Sequence, residues 1–169
     1  MRDAREQGLN SAPSRPDEPH HLAPDPTPPP PSKILVVDDE RAVRKAITDL
    51  PQRDGYEVWE ASDGESALRR VASEPFDIVV MDLIMPCMDG LAFLKAARQI
   101  GGRAEYIVMT GFGCWDSAVE AMKLGPVDYL PKPLHLELLW LVVGRTLEKQ
   151  RLAEQARHVS ARACRRIFA

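Results

Sequence analysis

Cysteine is scarce in this sequence, and the three present form no pattern. Cys87, Cys114 and Cys164 stand far apart with no CxxC and no Cys/His spacing, which leaves neither a disulfide framework nor a zinc site indicated and suits a reducing cytosol. His20, His21, His135 and His158 likewise lack metal-ligand spacing. No apolar run reaches the roughly 20 residues of a membrane helix, and the first thirty residues hold no signal-peptide core. A cytoplasmic protein without a membrane partner is therefore expected. Net charge is scarce too: 22 basic against 25 acidic residues leave −3, so the chain as a whole carries no electrostatic footprint for nucleic acid. No GxGxxG follows the first apolar run, which disfavours a dinucleotide oxidoreductase.

What is present divides into three parts. Residues 1–31 hold nine of the fifteen prolines and almost no large apolar side chains. Such a segment cannot bury enough surface to offset its ordering entropy, so a disordered leader with polyproline character is predicted. From Ser32 to about residue 150, short apolar runs alternate with stretches of helical spacing. The strands are read at Ile34–Val37, Tyr56–Trp59, Asp77–Met81, Tyr106–Met109 and Asp128–Leu130. The helices between and after them are read from Asp39 to Leu50, Gly64 to Ser73, about Leu91 to Ile100, about Asp116 to Leu124, and Leu134 onward. Five β-then-α units predict a parallel sheet covered by helices on both faces. Residues 151–169 then read as a charged helical extension or a piece of a linker.

In an open sheet of this kind, groups at the carboxyl ends of the strands converge on one crevice. Those positions are Asp38 and Asp39 after the first strand, Asp82 after the third, Thr110 after the fourth and Lys132 after the fifth. Taken singly, each has an ordinary structural reading: a helix cap, a strand-end hydroxyl, a solvated ammonium. Together they place three carboxylates, a hydroxyl and an ammonium at one edge. Crowded carboxylates need a proton or a cation, and a hard ion such as Mg²⁺ binds through one or two carboxylates, waters and phosphate oxygens.

The segments Val36-Val37-Asp38-Asp39-Glu40, Val80-Met81-Asp82-Leu83-Ile84-Met85-Pro86 with Asp89-Gly90, Val108-Met109-Thr110-Gly111 and Asp128-Tyr129-Leu130-Pro131-Lys132-Pro133 resemble the receiver domains of bacterial two-component response regulators. The wording at Thr110-Gly111-Phe112-Gly113 and in the final helix looks most like the nitrogen-regulator class of sigma-54-dependent activators. The resemblance implies a flavodoxin-like, doubly wound sheet in the order 2-1-3-4-5. It also implies a phosphoacceptor at Asp82, and Mg²⁺ held by Asp38, Asp39, Asp82 and the backbone carbonyl of Ile84. By the same resemblance Lys132 pairs with a phosphoryl oxygen, Thr110 draws in after phosphorylation, and Tyr129 is the aromatic switch. The implied partners are a sensor histidine kinase and an output protein or a second copy, met through the surface of the fourth helix, fifth strand and last helix.

Several residues depart from that pattern. Pro51 should end or kink the first helix, and Pro126 should stiffen the loop before the fifth strand. Ile84 and Phe112 put apolar side chains two residues after Asp82 and Thr110, which predicts slow self-dephosphorylation. Cys87 and Cys114 flank the crevice, so a redox role stands beside an inert one. Basic residues outnumber acidic ones from Arg145 to Arg166, but no DNA-reading motif accompanies them. An aspartyl phosphatase is disfavoured because its two aspartates are spaced by one residue, whereas Asp38 and Asp39 are adjacent. A standalone receiver and the truncated regulatory piece of a transcription activator remain as alternatives.

Overall fold

The structure, a computed structural model, describes residues 30–49, 55–111, 115–125 and 127–167. The leader to residue 29, Pro51, Phe112, Cys114 and Pro126 lie outside the described residues. Strands β1 (Ser32–Val37), β2 (Tyr56–Ala61), β3 (Ile78–Asp82), β4 (Glu105–Thr110) and β5 (Val127–Pro131) alternate with helices α1 (Arg41–Thr48), α2 (Gly64–Ser73), α3 (Gly90–Ile100), α4 (Trp115–Lys123) and α5 (Leu136–Ile167). All four strand pairings are parallel, in the order β2-β1-β3-β4-β5. This is the predicted doubly wound sheet.

Strands buried on both faces need apolar side chains in both directions, which is why β1 and β3 read as continuous runs. Alternate residues serve opposite cores. Leu35, Val37, Val79, Met81 and Val108 point to one side, where Ala67 of α2, Phe93 and Leu94 of α3 and Ala121 of α4 cover them. Ile34, Val36, Ile78, Val80, Ile107 and Met109 point to the other, under Ile47 of α1 and Leu139, Val143 and Leu147 of α5. Two loops are closed by aspartate N-caps: Asp63 accepts from the Ser66 amide and Asp89 from the Ala92 amide, each at 2.7 Å.

The final helix begins two residues later than the sequence reading placed it. It starts at Leu136, with the His135 carbonyl accepting from the Leu139 amide. Its early residues are almost all apolar, yet they do not pack equally: Leu139 and Val143 are buried, while Leu138 and Leu141 are exposed. A helix lying on one sheet face can bury only the side turned toward it. It runs unbroken through Gly144 for 32 residues. Its middle is fastened to the amino-terminal edge of the sheet: Gln150 Nε2 donates to the carbonyls of Asp77 (3.1 Å) and Arg103 (3.2 Å), and Glu154 pairs with Arg103 at 2.6 Å.

Candidate functional site

The carboxyl-terminal edge of the sheet gathers the predicted residues. Strand β3 ends in Asp82, which is 6% exposed, and β1 leads directly into the fully buried Asp38. The Asp38 carboxylate is oriented twice over. Its Oδ1 accepts from the Glu40 amide at 2.8 Å, and its Oδ2 accepts from Lys132 Nζ at 3.0 Å. Lys132 also reaches Asp82 Oδ2 at 2.5 Å, and Glu40 Oε1 lies 3.8 Å away. One ammonium thus bridges β1 and β3 from the end of β5. The loop that follows Asp82 is closed by the Gly90 amide donating to the Leu83 carbonyl at 2.9 Å, and the Ile84 amide caps Asp82 Oδ1 at 3.1 Å. Within it Cys87 takes a φ of 68°, and the Met88 amide bonds the Pro86 carbonyl at 2.9 Å. That is a three-residue turn of the rare left-handed kind.

Ligand oxygens of Asp38, Asp39 and Asp82 lie within 4.8 Å of one another, Asp39 being exposed and the other two buried. Three carboxylates therefore face one ammonium. Burial drives the Asp38 pKa above the ordinary aspartate value, against the pull of Lys132 and the Glu40 amide. Burial acts to lower the pKa of Lys132, but its hydrogen bonds to Asp82 and Asp38 and their charges outweigh it, and the pKa is raised. Lys132 stays protonated and leaves negative charge unbalanced. A clustered, all-oxygen donor set with surplus negative charge fits a hard divalent cation.

The profile of the response regulator receiver domain family matches residues 34–143. The chain is a response regulator receiver domain. This receiver is 38% identical over 128 residues to the regulatory protein AtoC of Escherichia coli, which covers 76% of the chain and 28% of that relative. It is 41% identical over 109 residues to the response regulator MprA of Mycolicibacterium vanbaalenii, covering 64% of the chain and 47% of the relative. The receiver therefore spans between about a quarter and a half of the length of these curated relatives. Among solved structures it resembles a response regulator receiver domain protein from Clostridium thermocellum, with a TM-score of 0.66 and 33% identity, covering 72% of this chain and 98% of that one.

Not every predicted site residue of the receiver touches the acidic cluster. Thr110 directs its hydroxyl to the Gly111 carbonyl at 3.3 Å, while its own carbonyl accepts from the Lys132 amide at 2.8 Å. The backbone thus couples the threonine strand end to the lysine. Tyr129 is partly buried against the α2–α3–α4 core, and burial raises its phenol pKa. Ile84 leaves its side chain 63% exposed at the rim of the crevice. The Lys132-Pro133 peptide is cis. Among the described residues no helix is long and apolar enough to cross a membrane.

One neighbour of the acidic cluster escaped the sequence reading. Arg44 of α1 sends Nη1 to the carbonyls of Asp38 (2.6 Å) and Asp39 (3.0 Å). The signal available was a misplaced charge, because a cation near a helix amino terminus opposes the dipole unless something local compensates.

Proposed function

We propose that this receiver accepts a phosphoryl group on Asp82 from a sensor histidine kinase, with Mg²⁺ as cofactor. The observation that carries the reading is the Lys132 ammonium, bonded at once to Asp82 and Asp38 in a cluster of three carboxylates. Asp38, Asp39, Asp82 and the Ile84 carbonyl would hold the cation. When bound, it supplies positive charge that offsets repulsion between the carboxylates and the incoming phosphoryl oxygens. An Asp82 carboxylate oxygen attacks phosphorus, an O–P bond forms, the N–P bond of the kinase phosphohistidine breaks, and its electron pair returns to the imidazole nitrogen. Such transfers pass through a loose transition state, so the protein's task is to position the reactants and neutralise charge. Lys132 follows the transferred group by exchanging its bond to Asp82 for one to a phosphoryl oxygen. The Thr110 hydroxyl turns from Gly111 to donate to another, and Tyr129 repacks as that loop moves.

The partner surface then altered is that of α4, β5 and α5, for an output protein or a second copy. AtoC and MprA both extend well beyond the shared segment, and the resemblance to sigma-54-dependent activators points to control of transcription as the output. The nitrogen-regulator resemblance around Thr110 favours the sigma-54-dependent class.

The test is incubation with acetyl phosphate and Mg²⁺, followed by intact-mass measurement. Wild type should gain one phosphoryl group and Asp82→Ala none. Equal labelling of both would place the acceptor elsewhere, and labelling that persists after chelation of divalent ions would remove the cation.

A further inference from the structure

We propose that Arg44 is a positioning residue for the acidic pair, holding the backbone between β1 and α1 so that Asp39 in particular presents its carboxylate to the cation. This rests on the cation-assisted reading of the site. The two anchored carbonyls belong to the two aspartates of the cluster. Each peptide unit is planar, so fixing the Asp38 and Asp39 oxygens fixes the planes on both sides of Asp39 and with them its Cα–Cβ direction. Asp38 has other restraints, from Lys132 and the Glu40 amide. Asp39 has none of that kind: among the described residues no hydrogen bond reaches its carboxylate, and it is exposed. Its aim depends on the backbone.

Arg44 is itself held in place. Its Nε faces Glu60 Oε2 of the edge strand β2 at 3.3 Å, and Glu60 Oε1 accepts from the Thr48 hydroxyl at 3.1 Å. The side chain is only 12% exposed. Helix α1 has no acidic residue in its first turn and no side-chain cap on its leading amides, so the usual reasons for a charge at that position are missing. The guanidinium instead serves carbonyls that precede the helix.

Electrostatics alone and positioning predict opposite outcomes. Removing a nearby cation would by itself tighten Mg²⁺ binding, whereas loss of a residue that orients a ligand typically weakens it about 10- to 100-fold. The experiment is an NMR titration with Mg²⁺, without phosphodonor, that follows the backbone amides of Asp39, Glu40 and Ile84. Arg44→Met and Arg44→Gln should both raise the Kd about tenfold while the metal-free melting curve stays near wild type. Arg44→Lys should recover part of the loss, because one ammonium can still reach a carbonyl. If Arg44→Met does not fold, Arg44→Gln decides. A Kd equal to or tighter than wild type in the folded variants overturns the assignment. Failure of the wild type itself to shift with Mg²⁺ would instead remove the cation reading, and the role of Arg44 with it.

Discussion

Gly90 opens α3 with its Cα pressed against the backbone that carries Asp82. A methyl group there would lie 2.7 Å from Leu83 Cα and 2.8 Å from Met81 Cε, and closer still to the Asp82 carbonyl oxygen. Ordinary contact begins near 3.4 Å, so the backbone around Leu83 would have to retreat by about 0.7 Å or more. The Met81 methyl can swing aside. The backbone neighbours cannot yield without displacing Asp82, whose strand is buried throughout and paired to β4 up to Met109. Overpacking of this sort costs about 1–3 kcal/mol, and misplacing a reacting group by about 1 Å can cost about 100-fold in rate. Gly90→Ala should therefore lower the melting temperature by several degrees and slow phosphate uptake from acetyl phosphate by about 10- to 100-fold at saturating Mg²⁺, read by intact mass over time. Gly111→Ala, with open space around the added methyl, serves as the control for melting temperature. A Gly90→Ala protein that melts and labels like wild type would refute this account of the loop.

Further tests reach other parts of the molecule. Burial raises the Asp38 pKa in the folded state, so its ionisation carries a stability penalty, absent at low pH and growing as pH climbs from 3.8 through the folded value. In metal-free buffer the melting temperature of Asp38→Asn, minus that of wild type, should thus increase with pH across that window, and a flat difference would contradict it. Placing a polar group at the crevice rim with Ile84→Asn should shorten the phosphoryl lifetime by about tenfold, less than a true acid–base group achieves because the amide can only orient water; unchanged decay in a chase assay would count against this. Gln150→Ala removes two bonds between α5 and the strand starts and should cost about 1–2 kcal/mol in urea unfolding, with labelling of Asp82 intact. Loss of labelling there would show that the two ends of the sheet are coupled.

The sheet and three positions of the candidate site were legible because they follow from local rules. Apolar runs such as Ile34–Val37 mark strands buried on both faces, and a parallel sheet puts whatever follows them at one edge; Asp38, Asp82 and Lys132 meet there as predicted. Element ends were less legible, since the neighbouring strand decides them. Strand β2 continues past Trp59 to Ala61 because Ala61 pairs with Val37 and its carbonyl takes the Asp38 amide at 3.3 Å. Which face of α5 packs was not legible from composition alone, as Leu141 resembles Leu139 in sequence but is 69% exposed. Arg44 was invisible for a further reason. Its role depends on a turn back to carbonyls five and six residues earlier and on Glu60 from another strand, which no periodicity records.

The length of α5 has a mechanical meaning. Its last described anchor on the sheet, at Glu154, lies thirteen residues before its end at Ile167, a stalk of about 20 Å at 1.5 Å per residue. A stiff rod clamped over its first half works as a pointer. A tilt of a few degrees where it is clamped displaces the helix at Ile167 by a distance on the order of 1–2 Å, enough to separate surfaces in van der Waals contact.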